Sequence, residues 1–114
     1  MSDCIFCKIA EGEIPAEKIY EDELVVGFRD LSPVAPTHVL LIPRTHIATL
    51  NDLGPGDEAV MGRLHSAARK IAKQEGLSEN GYRTVMNCNA DGGQTVFHIH
   101  MHLLGGRQMT WPPG

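Results

Sequence analysis

Half of the six histidines in this 114-residue chain stand in one short stretch, TVFHIHMHLLGG at positions 95–106. His98, His100 and His102 alternate there with Ile99 and Met101. Alternation is the period of a β-strand, in which residues i, i+2 and i+4 share a face. The pattern predicts a strand over 96–104 carrying three imidazoles in a row, about 6.5–7 Å apart along the backbone. The other face, Phe97, Ile99, Met101 and Leu103, is wholly apolar and is predicted to pack on a core. A solvated polar face accounts for one histidine. Three in strict alternation, backed by a buried face, require a chemical role.

The rest of the chain supplies such a core. Residues 4–10 read as a short helix capped by Ser2 or Asp3 and stopped near Gly12, with Ile5, Phe6 and Ile9 on its apolar side. Segments 18–21, 24–30 and 38–43 are β-prone, and the last two are joined by LSPVAPT, whose two prolines mark a loop. Val60, Leu64, Ala67 and Ile71 recur at helical spacing within 57–75, with Gly76 as the expected stop. Residues 82–87 form a fourth strand, separated from the fifth by the Gly-rich turn NADGGQT. The order β-β-β-α-β-β with short connections predicts an α+β fold: about five antiparallel strands, one main helix and a short N-terminal helix. The chain reads as a single domain over 1–114, with 107–114 (RQMTWPPG) as an extended tail.

Charge and composition narrow the function classes. A net charge of −4 offers no general attraction to nucleic acid or to an anionic membrane. No apolar run approaches the roughly 20 residues that span a bilayer, and MSDCIFCKIAEGE lacks the basic-then-apolar pattern of a signal peptide. Three cysteines, an odd number, argue against a secreted disulfide framework. The expectation is a cytoplasmic protein that binds neither nucleic acid nor membrane.

Two chemistries suit the histidine row. Two histidines at i, i+2 can chelate one zinc at about 2.0–2.1 Å, but the third then lies too far along the strand to join. Alternatively, a neutral imidazole keeps one unprotonated nitrogen able to attack an electrophile. The preceding turn favours the second. Gly92 and Gly93 let backbone N–H groups approach an anion closely, Gln94 and Thr95 add polar groups, and Asn87 faces the turn from the strand before it. A nucleophilic imidazole beside an anion nest points to attack on phosphorus. Cys4 and Cys7, at i, i+3 on the short helix, share a face and could contribute to a tetrahedral metal site. A redox pair and a pair of plain reduced thiols remain open alternatives. Cys88 reads as a small buried strand residue and His65 as surface.

HIHMHLL matches a His-φ-His-φ-His-φ-φ signature, φ being apolar, and so resembles the histidine triad family. DLSPVAPTHVLLIPRTH, NADGGQTVFHIHMHLLGGRQM and the terminal WPPG resemble its purine nucleoside phosphoramidase branch, and the likeness runs from Cys4 to Gly114. The resemblance implies that His100 is a nucleophile forming a nucleotidyl-histidine intermediate. It assigns phosphate contact to His102, and site support and proton traffic to His38. Asn87, Gly93, Gln94 and Thr95 match phosphate-binding positions; Thr95 stands where many relatives carry serine, and its extra methyl is expected to slow or narrow the reaction. Asp30 matches the acid that bonds the ribose hydroxyls. Ile5, Phe6, Ile9, Phe28, Leu31 and Leu40 match the apolar nucleobase slot. Cys4, Cys7, His46 and His98 match the ligands of a structural zinc that the chemical step does not need. The resemblance further implies a homodimer, with Trp111 in the tail reaching toward the partner's pocket. The function implied is hydrolysis of purine nucleoside 5′-phosphoramidates to a nucleoside monophosphate and an amine. The alternatives are a dinucleoside polyphosphate hydrolase, a nucleotide-binding regulatory module with incidental catalysis, and a zinc hydrolase that uses the triad as ligands.

Overall fold

The computed structural model describes residues 3–114. It contains helix α1 (Ile5–Ala10), strands β1 (Lys18–Glu21), β2 (Val25–Arg29) and β3 (Thr37–Pro43), helix α2 (Glu58–Gln74), strand β4 (Tyr82–Val85), the short helix α3 (Asn89–Gly92) and strand β5 (Met101–Gly105). The five strands form one antiparallel sheet in the order β1-β2-β3-β5-β4. The expected α+β architecture is therefore the observed one. β5 inserts between β3 and β4, which places the end of the histidine stretch in the middle of the sheet.

The two faces of the sheet have different partners. Val25, Val39, Leu41, Met101 and Leu103 pack on Leu64, Ala67, Ala68 and Ile71 of α2. That helix buries the apolar side its spacing predicts, and Gly76 beyond its end takes the left-handed φ of +77° that a helix stop favours. On the opposite face, Val26, Phe28, Leu40 and Ile42 pack on Phe6, Ile9 and Ala10 of α1. Because both faces are covered, every residue of β3 is buried, which explains its apolar run Val39–Pro43. No helix among the described residues is long and apolar enough to cross a membrane.

Two expectations need correction. The regular strand starts at Met101, not at residue 96; the chain bends through Val96, Phe97 and His98. Met101 and Leu103 are buried as the alternation requires, but Phe97 lies outside the strand and is 49% exposed. The N-cap of α1 is Cys4, whose Sγ accepts from Cys7 N–H at 3.4 Å. Asp3 is not the cap, and Ser2 lies outside the described residues.

Candidate functional site

A cavity of about 300 Å³ opens between α1, the loop after it, the end of β2 and the histidine stretch. Its apolar wall includes Ile5, Phe6 and Ile9 of α1, with Phe28 and Leu40 from the sheet beneath. Its polar end carries Asp30, Thr95, His100 and His102. Leu31 lines it too, although 97% exposed, so it stands at the mouth rather than in the wall. Arg29 lines it at the end of β2, and Ile14, Pro15, Ala16 and Val96 complete the lining. Nothing in the sequence marks these four, because they reach the cavity only when α1 docks on the sheet.

The histidines do not form the simple row that a regular strand predicts. His100 and His102 face each other with ring centroids 5.1 Å apart, whereas His98 turns away to the cysteines. Register explains a fourth histidine. Leu40 pairs with His102 and His38 with Leu104, so His38 and His102 are diagonal neighbours on one face of the sheet. Their rings meet through a 2.9 Å bond between His38 Nε2 and His102 Nδ1.

Backbone partners assign the proton on each imidazole, because a carbonyl can only accept and an amide N–H can only donate. Val34 N–H donates to His38 Nδ1 at 3.1 Å, so neutral His38 carries its proton on Nε2 and donates it to His102 Nδ1. His102 therefore carries its own proton on Nε2. His100 Nδ1–H donates to the carbonyl of His98 at 2.9 Å, which leaves the lone pair on His100 Nε2. His98 Nε2–H donates to the carbonyl of Pro43 at 2.8 Å, which leaves the lone pair on His98 Nδ1. One stretch of chain thus holds three imidazoles in two tautomers, and each has a defined free valence.

Burial reinforces the neutral forms. It pushes His102 down to about 4, helped by the neighbouring His100 and His38, against the opposing pull of Asp30. Burial also lowers His38, although Asp30 Oδ2 lies 3.5 Å from its Nε2 and works the other way. Asp30 is itself oriented by Ser32, whose N–H donates to Oδ1 at 2.7 Å.

The turn before the histidines is a compact brace. The Gln94 side chain, buried, accepts from Asn89 N–H and donates to the carbonyls of Ala48 and Val96. Its amide is thus committed to holding the turn. Gly93 sits at φ +81°, a left-handed conformation that a side chain would strain. Asn87 packs against the start of the turn, where a β-carbon added at Gly92 would lie 3.7–3.8 Å from it. Of these positions Thr95 alone lines the cavity; Asn87, Gly93 and Gln94 do not. Cys88 lies at the N-cap of α3, half-buried rather than within a strand, and His65 is exposed on α2.

A second cluster lies on the other side of α1. The donor atoms of Cys4, Cys7, His46 and His98 all fall within 4.8 Å of one another. Cys4 Sγ is 3.3 Å from His98 Nδ1, Cys7 Sγ is 3.4 Å from His46 Nδ1 and 3.5 Å from His98 Nδ1, and the two Nδ1 atoms are 3.3 Å apart. With bonds of about 2.0–2.1 Å to nitrogen and 2.3 Å to sulfur, a tetrahedral zinc has donor-to-donor edges of roughly 3.3–3.8 Å. The donor set fits such an ion. The bond from His98 Nε2–H to the Pro43 carbonyl leaves His98 Nδ1 unprotonated, the state in which it could ligate such an ion.

Comparison with known proteins agrees with this geometry. The HIT domain family model matches residues 11–109. Purine nucleoside phosphoramidase of Escherichia coli K12 is 54% identical over 107 residues, covering 94% of this chain and 90% of that protein. A 14 kDa zinc-binding protein of Zea mays is 52% identical over 116 residues, covering 99% and 89% respectively. The crystal structure of a HIT family hydrolase from Legionella pneumophila superposes with a TM-score of 0.96 at 58% identity, over 98% of this chain and 100% of that one. The fold, the paired faces of the sheet and the whole-length similarity place this chain in the histidine triad (HIT) family.

Proposed function

We propose that this protein hydrolyses nucleoside 5′-phosphoramidates, with a preference for purines, through a nucleotidyl-histidine intermediate on His100. The observation that carries the reading is the pair of complementary nitrogens on the cavity wall. His100 Nε2 offers a lone pair beside a His102 Nε2 that offers a proton. Similarity to the E. coli phosphoramidase supports the same conclusion.

The chemistry balances with these groups alone. An anionic phosphoramidate beside the buried His38–His102 pair offsets its desolvation, so the complex takes up one proton from solvent at His38 Nδ1, in place of the bond from Val34 N–H. His100 Nε2 attacks phosphorus while the phosphorus–nitrogen bond to the amine breaks. His102 Nε2–H passes to the departing nitrogen, which leaves as a neutral amine, while His38 Nε2–H moves across the 2.9 Å bond to His102 Nδ1. Charge on the His100 ring is stabilised at Nδ1–H by the His98 carbonyl. Water then attacks phosphorus, returns a proton to the histidine pair and releases His100 with a nucleoside monophosphate. Thr95, the turn residue that lines the cavity, stabilises the phosphoryl oxygens. Asp30 meets the ribose hydroxyls, and the base lies against Ile5, Phe6, Ile9, Phe28 and Leu40.

Zinc is the ion we assign to Cys4, Cys7, His46 and His98, in keeping with the donor set and with the zinc-binding maize relative. Bound there, it would cross-link Cys4 and Cys7 at α1 to His46 and His98 and take no part at phosphorus. The protein acts as a single domain that pairs into a homodimer across β4, the uncovered edge of the sheet on that side. Trp111, 81% exposed beside Arg83, is the group in the tail suited to reach a partner. Reduced thiol ligands accord with a cytoplasmic location.

Adenosine 5′-phosphoramidate tests the reading. The wild-type protein should release AMP and ammonia in equal amounts, in buffer containing chelator as well as without it. His100→Ala should still bind AMP but show no turnover above background. Substantial turnover by that variant would exclude His100 as the nucleophile.

A further inference from the structure

Helix α1 serves both clusters at once. Cys4 and Cys7 project to the four-donor site, while Ile5, Phe6 and Ile9 form a wall of the cavity. The Phe6 ring sits edge-on to Phe28 at 5.7 Å, to His98 at 6.0 Å and to His100 at 5.1 Å. It therefore touches one metal-ligating imidazole and the nucleophile together. With only six residues, α1 has no stability of its own and takes its position from its tethers. Those tethers are the Cys4 and Cys7 thiols, the packing of Phe6, Ile9 and Ala10, and a 3.0 Å bond from Arg44 Nη1 to the carbonyl of Ala10. The packing of Ile9 and Ala10 and the Arg44 bond anchor the C-terminal end. The N-terminal end is held through the cysteines and, when a nucleotide is bound, through the base lying on the same helix.

We infer that the metal site and the nucleobase pocket are energetically coupled through α1, so that each ligand strengthens the binding of the other. An ion at the four donors fixes the helix and so presets the wall that the base meets. A bound base fixes the same helix and so holds the cysteines on the metal. The ordering of α1 is needed for both and is supplied once, so the second ligand binds a helix already in place. Linkage makes the effect reciprocal: the factor by which zinc tightens nucleotide binding equals the factor by which nucleotide tightens zinc binding. The inference rests on the zinc and nucleotide readings above and adds the connection between them.

Zinc release from the folded, metal-loaded protein to a chromophoric chelator tests the coupling without a stable metal-free form. AMP, adenosine and ribose 5-phosphate are compared at saturating concentration. AMP and adenosine place a base on α1; ribose 5-phosphate reaches only the polar end of the pocket. AMP and adenosine should slow zinc release by about tenfold, a mid-range value for coupled sites. Ribose 5-phosphate should leave the rate within twofold of the free protein. Phe6→Leu, which keeps an apolar wall but loses the ring contacts, should shrink the effect of AMP. Zinc release unaffected by AMP, in a protein that binds both ligands, would overturn the coupling and leave both binding readings standing. Ribose 5-phosphate acting as strongly as AMP would overturn the route through α1. Failure to hold zinc at all would overturn the zinc reading and this inference with it.

Discussion

Replacing His102 with glutamine should flatten the acid limb of the protein's stability curve. Burial and two neighbouring imidazoles hold folded His102 down to about 4, whereas the unfolded chain restores the ordinary value of 6.5. The folded-state value is depressed, so between pH 6.5 and 4 the unfolded state binds the proton and the native state does not. The neutral side chain thus favours folding fully above pH 6.5, and the advantage drains away as pH falls toward 4. At about 1.4 kcal/mol per pH unit the ceiling over this window is about 3 kcal/mol, and partial exposure of the ring reduces it to about 1–2 kcal/mol. Asp22 does not obscure the window. Its carboxylate accepts from Leu24 N–H, Val25 N–H and Tyr20 Oη–H and is held at about 2, so it stays ionised throughout. Urea unfolding of wild type and His102→Gln at pH 7.5, 6.0, 5.0 and 4.5 measures the difference directly. The wild type should lose about 1–2 kcal/mol more than the variant between the first and last pH. Parallel losses in the two proteins would show that His102 is not held neutral by the fold.

Three further perturbations address other parts of the structure. Gly105→Ala places a β-carbon 2.6–2.8 Å from the Leu77 side chain, and the overpacking should cost about 1–3 kcal/mol, read as a lowered Tm. Cys4→Ala removes a proposed zinc ligand and the cap of α1 together, so it should lower Tm more than it lowers phosphoramidate turnover; an unchanged Tm would count against a structural ion. Removing residues 109–114 takes away Trp111, and should change the ranking of phosphoramidates with bulky and small amines while the oligomeric state, measured by light scattering, is retained. An unchanged ranking would exclude the tail from specificity.

Much of the fold is legible in the chain because its patterns are local. Helical spacing marks α2, the apolar run marks β3, and alternation marks the 101–104 part of β5. Alternation misleads at 96–98 for a tertiary reason. Ile99 N–H bonds to the Ile47 carbonyl and Gln94 ties Val96 to Ala48, so the chain enters the sheet only at Met101. That delay frees His98 to turn toward Cys4 and Cys7, which a regular strand would forbid. The cap of α1 was obscured because cysteine is not among the usual capping residues. The neighbourhood of the proposed nucleophile is only half visible in the sequence. Residue types suggest His100, but its tautomer depends on the His98 carbonyl, and the His38–His102 bond depends on β3 pairing with β5 across 64 positions. Backbone partners of this kind leave no residue signature.

A covalent nucleotidyl group on His100 is the central claim, and intact-protein mass spectrometry tests it most directly. The protein is mixed briefly with adenosine 5′-phosphoramidate, quenched under mildly alkaline denaturing conditions that preserve phosphorus–nitrogen bonds, and weighed before and after digestion. The account predicts a mass gain of one adenylyl group, located on the peptide containing His100 and missing in His100→Ala. Rapid AMP release with no adduct at any quench time, or an adduct on another residue, would contradict it.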